Sequence, residues 1–383
     1  MKIALISPGL HPYVLGGIQR HSFNLVRELA KLGVGIDLYH TDFKSAEGID
    51  GLDGMTEEER AGITSIALPW PKRDSLPGHF VRELKKFSES VLEVMRRRPP
   101  VDLIYDQGMT SHAILDARGN DRTIPPIVVN MHGYEMFQAS GNLRSLAQNL
   151  MTRGAYGKHV RRADHVVSLG GKLTGLIEEK VKVARERIVV MPNGVDHSWL
   201  SEAPSAASGK LRMIFVGRYE RRKGIHELHE AIRANPQWET AANFRFVGPI
   251  PEGKRLRLSH VSYAGAVKDE TQLKAEYRNS DVLICPSHAE GMPTVILEAM
   301  ASGLAVIATD VGATNTMVSA PNGFLLERPD PGHLSMAINR VLGLEPDALQ
   351  AMKRASVREV ERFRWDRIAK GVMGEMCRII GAC

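Results

Sequence analysis

Two glutamates eight residues apart, Glu290 and Glu298, lie in the stretch CPSHAEGMPTVILEAM that runs from Cys285 to Met300. The apolar run before it, DVLI, reads as a buried strand. Pro293 reads as the first residue of a helix, where the missing N–H would have had no partner anyway. Glu290 then belongs to the loop outside the helix N-terminus, and Glu298 lies in the helix on the same side as Thr294. From Gly291 to Thr309 the chain is apolar or small, and Glu298 is its one charge. A carboxylate in such a helix needs a partner. An internal salt bridge would supply one. Two carboxylates at a strand-to-helix junction with free backbone N–H groups point instead to a polyhydroxylated ligand. Carboxylates accept hydrogen bonds from sugar hydroxyls, and helix N-termini attract phosphate.

A second cluster follows the strand LRMIFVG. Arg218, Arg221, Arg222 and Lys223 gather just before the helix IHELHEAI. Cations at a helix N-terminus oppose the macrodipole by about 0.3–1 kcal/mol each at exposed positions. A bound anion reverses that sign, with Arg and Lys supplying charge and the helix supplying N–H groups; a solvated basic turn is the plainer alternative. Near the start of the chain, Gly16 and Gly17 precede a helix with apolar positions at Ile18, Leu25, Val26, Leu29 and Leu32. Paired glycines there let a ligand approach the backbone, although a tight turn would use them equally well. His132 ends the apolar strand IVVNMH, a place where a lone histidine is usually structural.

With the frame PS…EG…P…LEAMA…G around it, the glutamate pair resembles the E-x7-E signature of retaining GT-B glycosyltransferases of family 4, the glycosyl transferases group 1 type. The resemblance implies that Glu290 lies near the donor sugar and that Glu298 binds the ribose of the nucleotide. The residues between and after them, Gly291, Met292, Pro293 and Thr294, would line the donor site. Arg218 and Lys223 match the family's GR-x4-KG element, which holds the donor diphosphate. Gly16 and Gly17 match a glycine-rich loop near the phosphates, and His132 a strand-end histidine facing the reacting sugar. Pro192 to Asp196 matches the turn leading out of the first domain, and Ala264 to Val267 would lie beside the base. One position departs: Thr316 stands where the family usually carries a glutamate. The resemblance is tight from Leu211 to Glu327 and looser elsewhere.

Those residues need two scaffolds. At 383 residues the chain exceeds one ordinary core. Apolar strands alternating with helical segments imply α/β, doubly wound sheets that bind ligands outside the carboxyl ends of their strands. The expected layout is an acceptor-side Rossmann-like domain over residues 1–196, a linker over 197–210 and a donor-nucleotide domain over 211–365. A terminal helix, about 366–383, would return to the first domain, completing the GT-B form with its cleft. Hydrophobic residues make up 43% and charged residues 25%, as in soluble globular proteins, and the net charge of +6 admits acidic partners. The three cysteines, Cys285, Cys377 and Cys383, have no metal-ligand spacing. No D-x-D occurs, so no metal cofactor is expected beside the two diphosphate-binding cations.

The N-terminus enters a strand without an apolar leader, which implies a cytoplasmic protein. The amphipathic segment His79 to Arg98 carries an apolar stripe (Phe80, Leu84, Phe87, Val91, Met95) and a cationic face. It reads as a helix packed on the sheet, or as a peripheral contact with an anionic membrane that would suit a lipid-linked acceptor. Few aromatics and no recognition motif argue against nucleic acid. The expected reaction moves a hexosyl unit from a nucleoside-diphosphate sugar, a UDP-sugar before GDP-mannose, to a sugar or lipid-linked acceptor in glycan, glycolipid or cell-envelope polysaccharide synthesis. The alternatives are a nucleotide-sugar epimerase of the same fold and a non-catalytic nucleotide-sugar-binding module.

Overall fold

The computed structural model describes residues 1–14, 16–41, 52–72, 78–138, 143–201 and 209–382. Half of the linker read at 197–210, residues 202–208, falls outside them. Strands form two all-parallel sheets. The first contains β1 (Lys2–Ile6), β2 (Gly35–His40), β3 (Ile63–Ala67), β4 (Leu103–Gln107), β5 (Ile127–Asn130), β6 (His165–Ser168) and β7 (Ile188–Val190). The second contains β8 (Leu211–Val216), β9 (Ala242–Val247), β10 (Val261–Gly265), β11 (Val282–Cys285), β12 (Ala305–Thr309) and β13 (Gly323–Leu326). Their orders are β3-β2-β1-β4-β5-β6-β7 and β10-β9-β8-β11-β12-β13. Each order reverses direction beside the sheet's first strand, between β1 and β4 and between β8 and β11, which is where doubly wound sheets open a crevice.

The strand sequences explain the burial. β5, β11 and β12 are buried at every position and apolar except for Asn130 and Thr309 at two of their ends, so both faces must be covered by helices. The helix His79–Met95 buries Leu84, Phe87 and Val91 in the first unit. Its apolar stripe therefore points inward, with Phe80 left 44% exposed at one end. Arg98 is drawn to the buried carboxylate Asp37, at 3.0 Å, and leaves the cationic face.

The chain passes from the first unit to the second at Val195 and returns at Arg364, and the two passes lie side by side. Val195 N donates to Phe363 O at 2.8 Å, and Trp365 N donates to Val195 O at 3.1 Å. The helix Trp365–Ile380 then packs on the helix Gly17–Lys31, burying Trp365, Ile368, Val372 and Met376 in the first unit's core. The start of the segment read as a linker is ordered. His197–Trp199 forms a short 3-10 turn, and the Trp199 ring is buried in edge contact with Tyr277 of the second unit.

Candidate active site

The loop after β11 carries Glu290, and the helix after the loop is Thr294–Ala301. Pro293 is the cap of that helix, in an extended conformation (φ −69°, ψ 113°), one residue earlier than its expected place inside it. Glu290 is 6% exposed and well partnered. Lys223 Nζ lies 2.6 Å from Oε1 and Arg222 Nη1 lies 3.1 Å from Oε2; Ser287 Oγ also donates to Oε1, at 2.8 Å. Glycine makes this possible. Gly224 follows Lys223 at φ +70°, and a Cβ there would sit 1.7 Å from Pro286 O, so the basic turn can lie directly on the loop. Burial alone would raise the Glu290 carboxyl, but the charges of Lys223 and Arg222 and the hydrogen bonds from Lys223 and Ser287 hold it below the usual value.

Arg218 is placed differently from Lys223. Its side chain is 67% exposed and pairs with Glu220 at 3.0 Å. Arg222 is the arginine brought to Glu290, and it also faces Glu135 of the first unit at 3.8 Å. After β8 the 3-10 turn Arg221–Lys223 brings Arg222 and Lys223 onto the loop, while Arg218, expected with Lys223 to meet a diphosphate, stays exposed just before that turn.

The first unit grips the same loop from across the cleft. Gln138 Nε2 donates to Glu290 O at 2.7 Å, and Gln138 Oε1 accepts from Glu290 N at 3.2 Å. Asn193 Nδ2 donates to Met292 O at 2.9 Å, so its Oδ1 accepts from His21 Nδ1 at 2.8 Å. Burial lowers His21 to about 4, with the Asn193 bond partly opposing it. His132 lies two residues past the end of β5, not in the strand as expected, in the left-handed region, φ 59°, with Nε2 against Gln107 Oε1 and its ring edge-on to His21 at 4.5 Å. Burial and then His21 push its pKa well below the usual value, so it is neutral. Its carbonyl abuts Gly291, where a Cβ would sit 1.8 Å from His132 O.

Glu298 lies deeper, 8% exposed. Together with Thr294 and Glu270 it lines a cavity of about 210 Å³ whose opposite wall is Gly17, Arg20, His21 and Asp196. Gly16 and Gly17 are exposed at the start of their helix, and Gly17 alone of the two reaches this cavity. Arg20 Nη1 is 3.7 Å from Glu298 Oε1. Burial raises the Glu298 carboxyl, and Arg20 with the Tyr277 and Thr294 hydroxyls draws it partly back.

Ser287, Gln138, Arg20 and Tyr277 were not singled out from the sequence as site residues, and Arg222 only as a member of the basic cluster. Arg222 had a signal, the basic run itself; Gln138 and Tyr277 had none, because their partners lie 152 and 21 residues away. Thr316, in the family's glutamate position, donates to Ala313 O at 2.6 Å and closes the turn whose Ala313 N donates to Gly291 O. Ala264 and Val267 line a different groove, of about 580 Å³, with Gln272 and Glu276. Among the described residues no group of three His, Cys, Asp or Glu side chains could hold a metal ion.

The family models agree with this arrangement. "Glycosyltransferase Family 4" matches residues 15–199, and "Glycosyl transferases group 1" matches residues 210–343. A glycogen synthase of Mycobacterium tuberculosis is 24% identical over 96% of this chain and 92% of its own length. A D-inositol 3-phosphate glycosyltransferase of Segniliparus rotundus is 27% identical over 97% and 88%. The sucrose-phosphate synthase of Thermosynechococcus elongatus superposes with a TM-score of 0.79 at 22% identity, over 100% of this chain and 99% of that one. HepE of Anabaena, solved in complex with UDP, superposes with a TM-score of 0.68 at 20% identity, over 99% and 100%. Two parallel-sheet units, a cleft gripped from both sides and two family models spanning them lead to one assignment: the chain belongs to the group 1, family 4 glycosyltransferases and has their GT-B fold.

Proposed function

We propose that this enzyme is a retaining hexosyltransferase that takes its sugar from a nucleoside diphosphate and passes it to an acceptor hydroxyl. The observation carrying the reading is the contact of Glu290 with Lys223 and Arg222 in the cleft, with Glu298 lining the adjoining cavity. The nucleotide's ribose would meet Glu298, its diphosphate the basic turn, and the sugar Glu290 and the His132 strand end. In the reaction the bond from the anomeric carbon to the diphosphate breaks, the acceptor oxygen bonds that carbon on the same face, and the acceptor proton goes to the departing phosphate. Lys223 and Arg222 would stabilise the charge growing on that leaving group, the largest electrostatic demand of the step. Membership of family 4 supports retention, and UDP in the HepE structure supports a UDP-sugar before GDP-mannose.

A thermal-shift panel of nucleoside diphosphates and their sugars tests the binding half. The cognate ligand at about 100 times its Kd should stabilise the protein by about 2.7 kcal/mol. Transfer assays with the selected donor should then retain full activity in EDTA, since the charge compensation is built from side chains. Loss restored by Mg²⁺ or Mn²⁺ would remove Lys223 and Arg222 from that role. Donor turnover with no acceptor present would favour the epimerase.

The acceptor is a sugar or lipid-linked hydroxyl. No described helix is long and apolar enough to cross a membrane. On the helix His79–Met95 and the turn after it, Lys85, Lys86, Arg96 and Arg97 are exposed while Leu84, Phe87 and Val91 of the apolar stripe are buried. Membrane contact would therefore be electrostatic. Flotation with anionic vesicles at low salt should retain the protein and release it as salt rises. Equal behaviour with neutral vesicles would leave a solvated face and a soluble acceptor.

A further inference from the structure

The helix Glu270–Arg278 carries Tyr277, whose ring is fully buried and whose hydroxyl donates to Glu298 Oε2 at 2.9 Å. The ring is fixed by Trp199, 5.7 Å away between centroids and edge-on. The other carboxylate oxygen, Oε1, faces Arg20 at 3.7 Å, beyond hydrogen-bonding range, and both residues line the interdomain cavity. The two oxygens of Glu298 are therefore inequivalent. One is bound inside its own domain; the other is presented where the domains meet. Thr294, one helical turn earlier, adds a second hydroxyl to the carboxylate.

A phenol suits this task. Burial and the neighbouring Glu298 charge push Tyr277 well above its ordinary value, so it remains a donor throughout the working pH range. Its ring has only two torsions, and the Trp199 contact leaves it little freedom to follow a carboxylate that turns. We propose that Tyr277 is a positioning residue for nucleotide recognition: by holding Oε2 it sets the plane of the Glu298 carboxylate so that vicinal ribose hydroxyls can donate to it. This rests on the reading that Glu298 binds the ribose. Tyr277 itself does not touch the ligand and acts through Glu298. A purely structural role, packing under the helix with its hydroxyl satisfied, is the competing account.

Discrimination between ligands separates the two. UDP or GDP, whichever stabilises the protein, is compared by calorimetry with its 2′,3′-dideoxy analogue on native protein, Tyr277→Phe and Glu298→Ala. The native protein should prefer the ribonucleotide by about 10- to 150-fold, the range for hydrogen bonds to a charged group. Glu298→Ala should abolish the preference. Tyr277→Phe should reduce it by about 10-fold, through weaker ribonucleotide binding and unchanged dideoxy binding. A lower melting temperature with full discrimination would make Tyr277 structural and overturn the inference, leaving Glu298 in place. No preference in the native protein, or none lost in Glu298→Ala, would instead overturn the ribose reading itself.

If Tyr277→Phe alone does not fold, Glu298→Ala and the double variant carry the comparison with neither the buried charge nor an acceptor for the phenol. Equal ribonucleotide affinity in those two is expected, because Tyr277 acts through the carboxylate. A further loss in the double variant would place its effect elsewhere and overturn the proposal.

Discussion

Replacing Lys223 by alanine is expected to lower turnover of the sugar donor by about 10²–10³-fold, the loss typical when one pre-placed group stabilising developing negative charge is removed. Single-turnover rates with a saturating donor measure it directly; a loss below about 10-fold would leave Arg222 or backbone N–H groups as the main stabilisers. The same change should alter stability in a pH-dependent way. In the native protein the Glu290 carboxyl titrates below its unfolded value of 4.5. Its contribution is therefore present above that value and lost as pH falls through the depressed folded one. Without Lys223, burial is opposed by Arg222 and Ser287 alone, and the folded-state value rises. The variant's deficit should be largest near neutral pH and shrink as pH drops below about 4.5. Breaking a buried pair costs about 3–5 kcal/mol; this deficit should be smaller because Arg222 remains. Adding Glu290→Gln should recover much of the stability and none of the activity. Denaturant melts across pH on the single and double variants decide the point.

Gly291→Ala should be nearly as damaging for a different reason. The new Cβ would lie 1.8 Å from His132 O and 3.2 Å from Gly133 Cα, both backbone atoms of the opposite domain. No side chain can rotate away, so the domains must separate. A misplacement of about 1 Å can cost about 10²-fold when reacting groups are held on two bodies. The expected result is a loss of that order in kcat/KM, with nucleoside diphosphate affinity little changed because its proposed ligands lie mainly in the second domain. Calorimetry beside steady-state rates reads both. Full activity would show that this closed contact is absent from the reacting enzyme.

The architecture was legible because parallel strands buried on both faces must be written as apolar runs. DVLI and LAVIATD became β11 and β12, and the pleat needs no distant information to be recognised. The carboxylates were legible for a related reason: a charge in VILEAM stands out against its neighbours. The choice among four cations was not. Which of them rests on the loop and which stays exposed depends on a single 3-10 turn, and no periodicity encodes which way that turn faces. Gln138 was harder still. A glutamine on a loop carries no surplus charge, and its two hydrogen bonds to Glu290 exist only once the domains are apposed. The stripe on His79–Met95 was visible as amphipathic, but sequence pattern does not say what covers an apolar face. Leu84, Phe87 and Val91 proved to face the protein's own core.

The return of the chain at Arg364 means that the first domain is not contiguous. Its core includes Trp365, Ile368, Val372 and Met376, which are made about 170 residues after Val195. At typical synthesis rates of about 5–20 residues per second, the emerging first domain waits roughly 10–35 s for its last helix. During that interval the face of Gly17–Lys31 that will receive this helix has no partner from the chain, while the second domain can form independently. Order of synthesis and order of completion are thus inverted: the half made first should be the last to finish folding, and nascent chains stalled before Trp365 should show a protease-resistant second domain beside a still-sensitive first one.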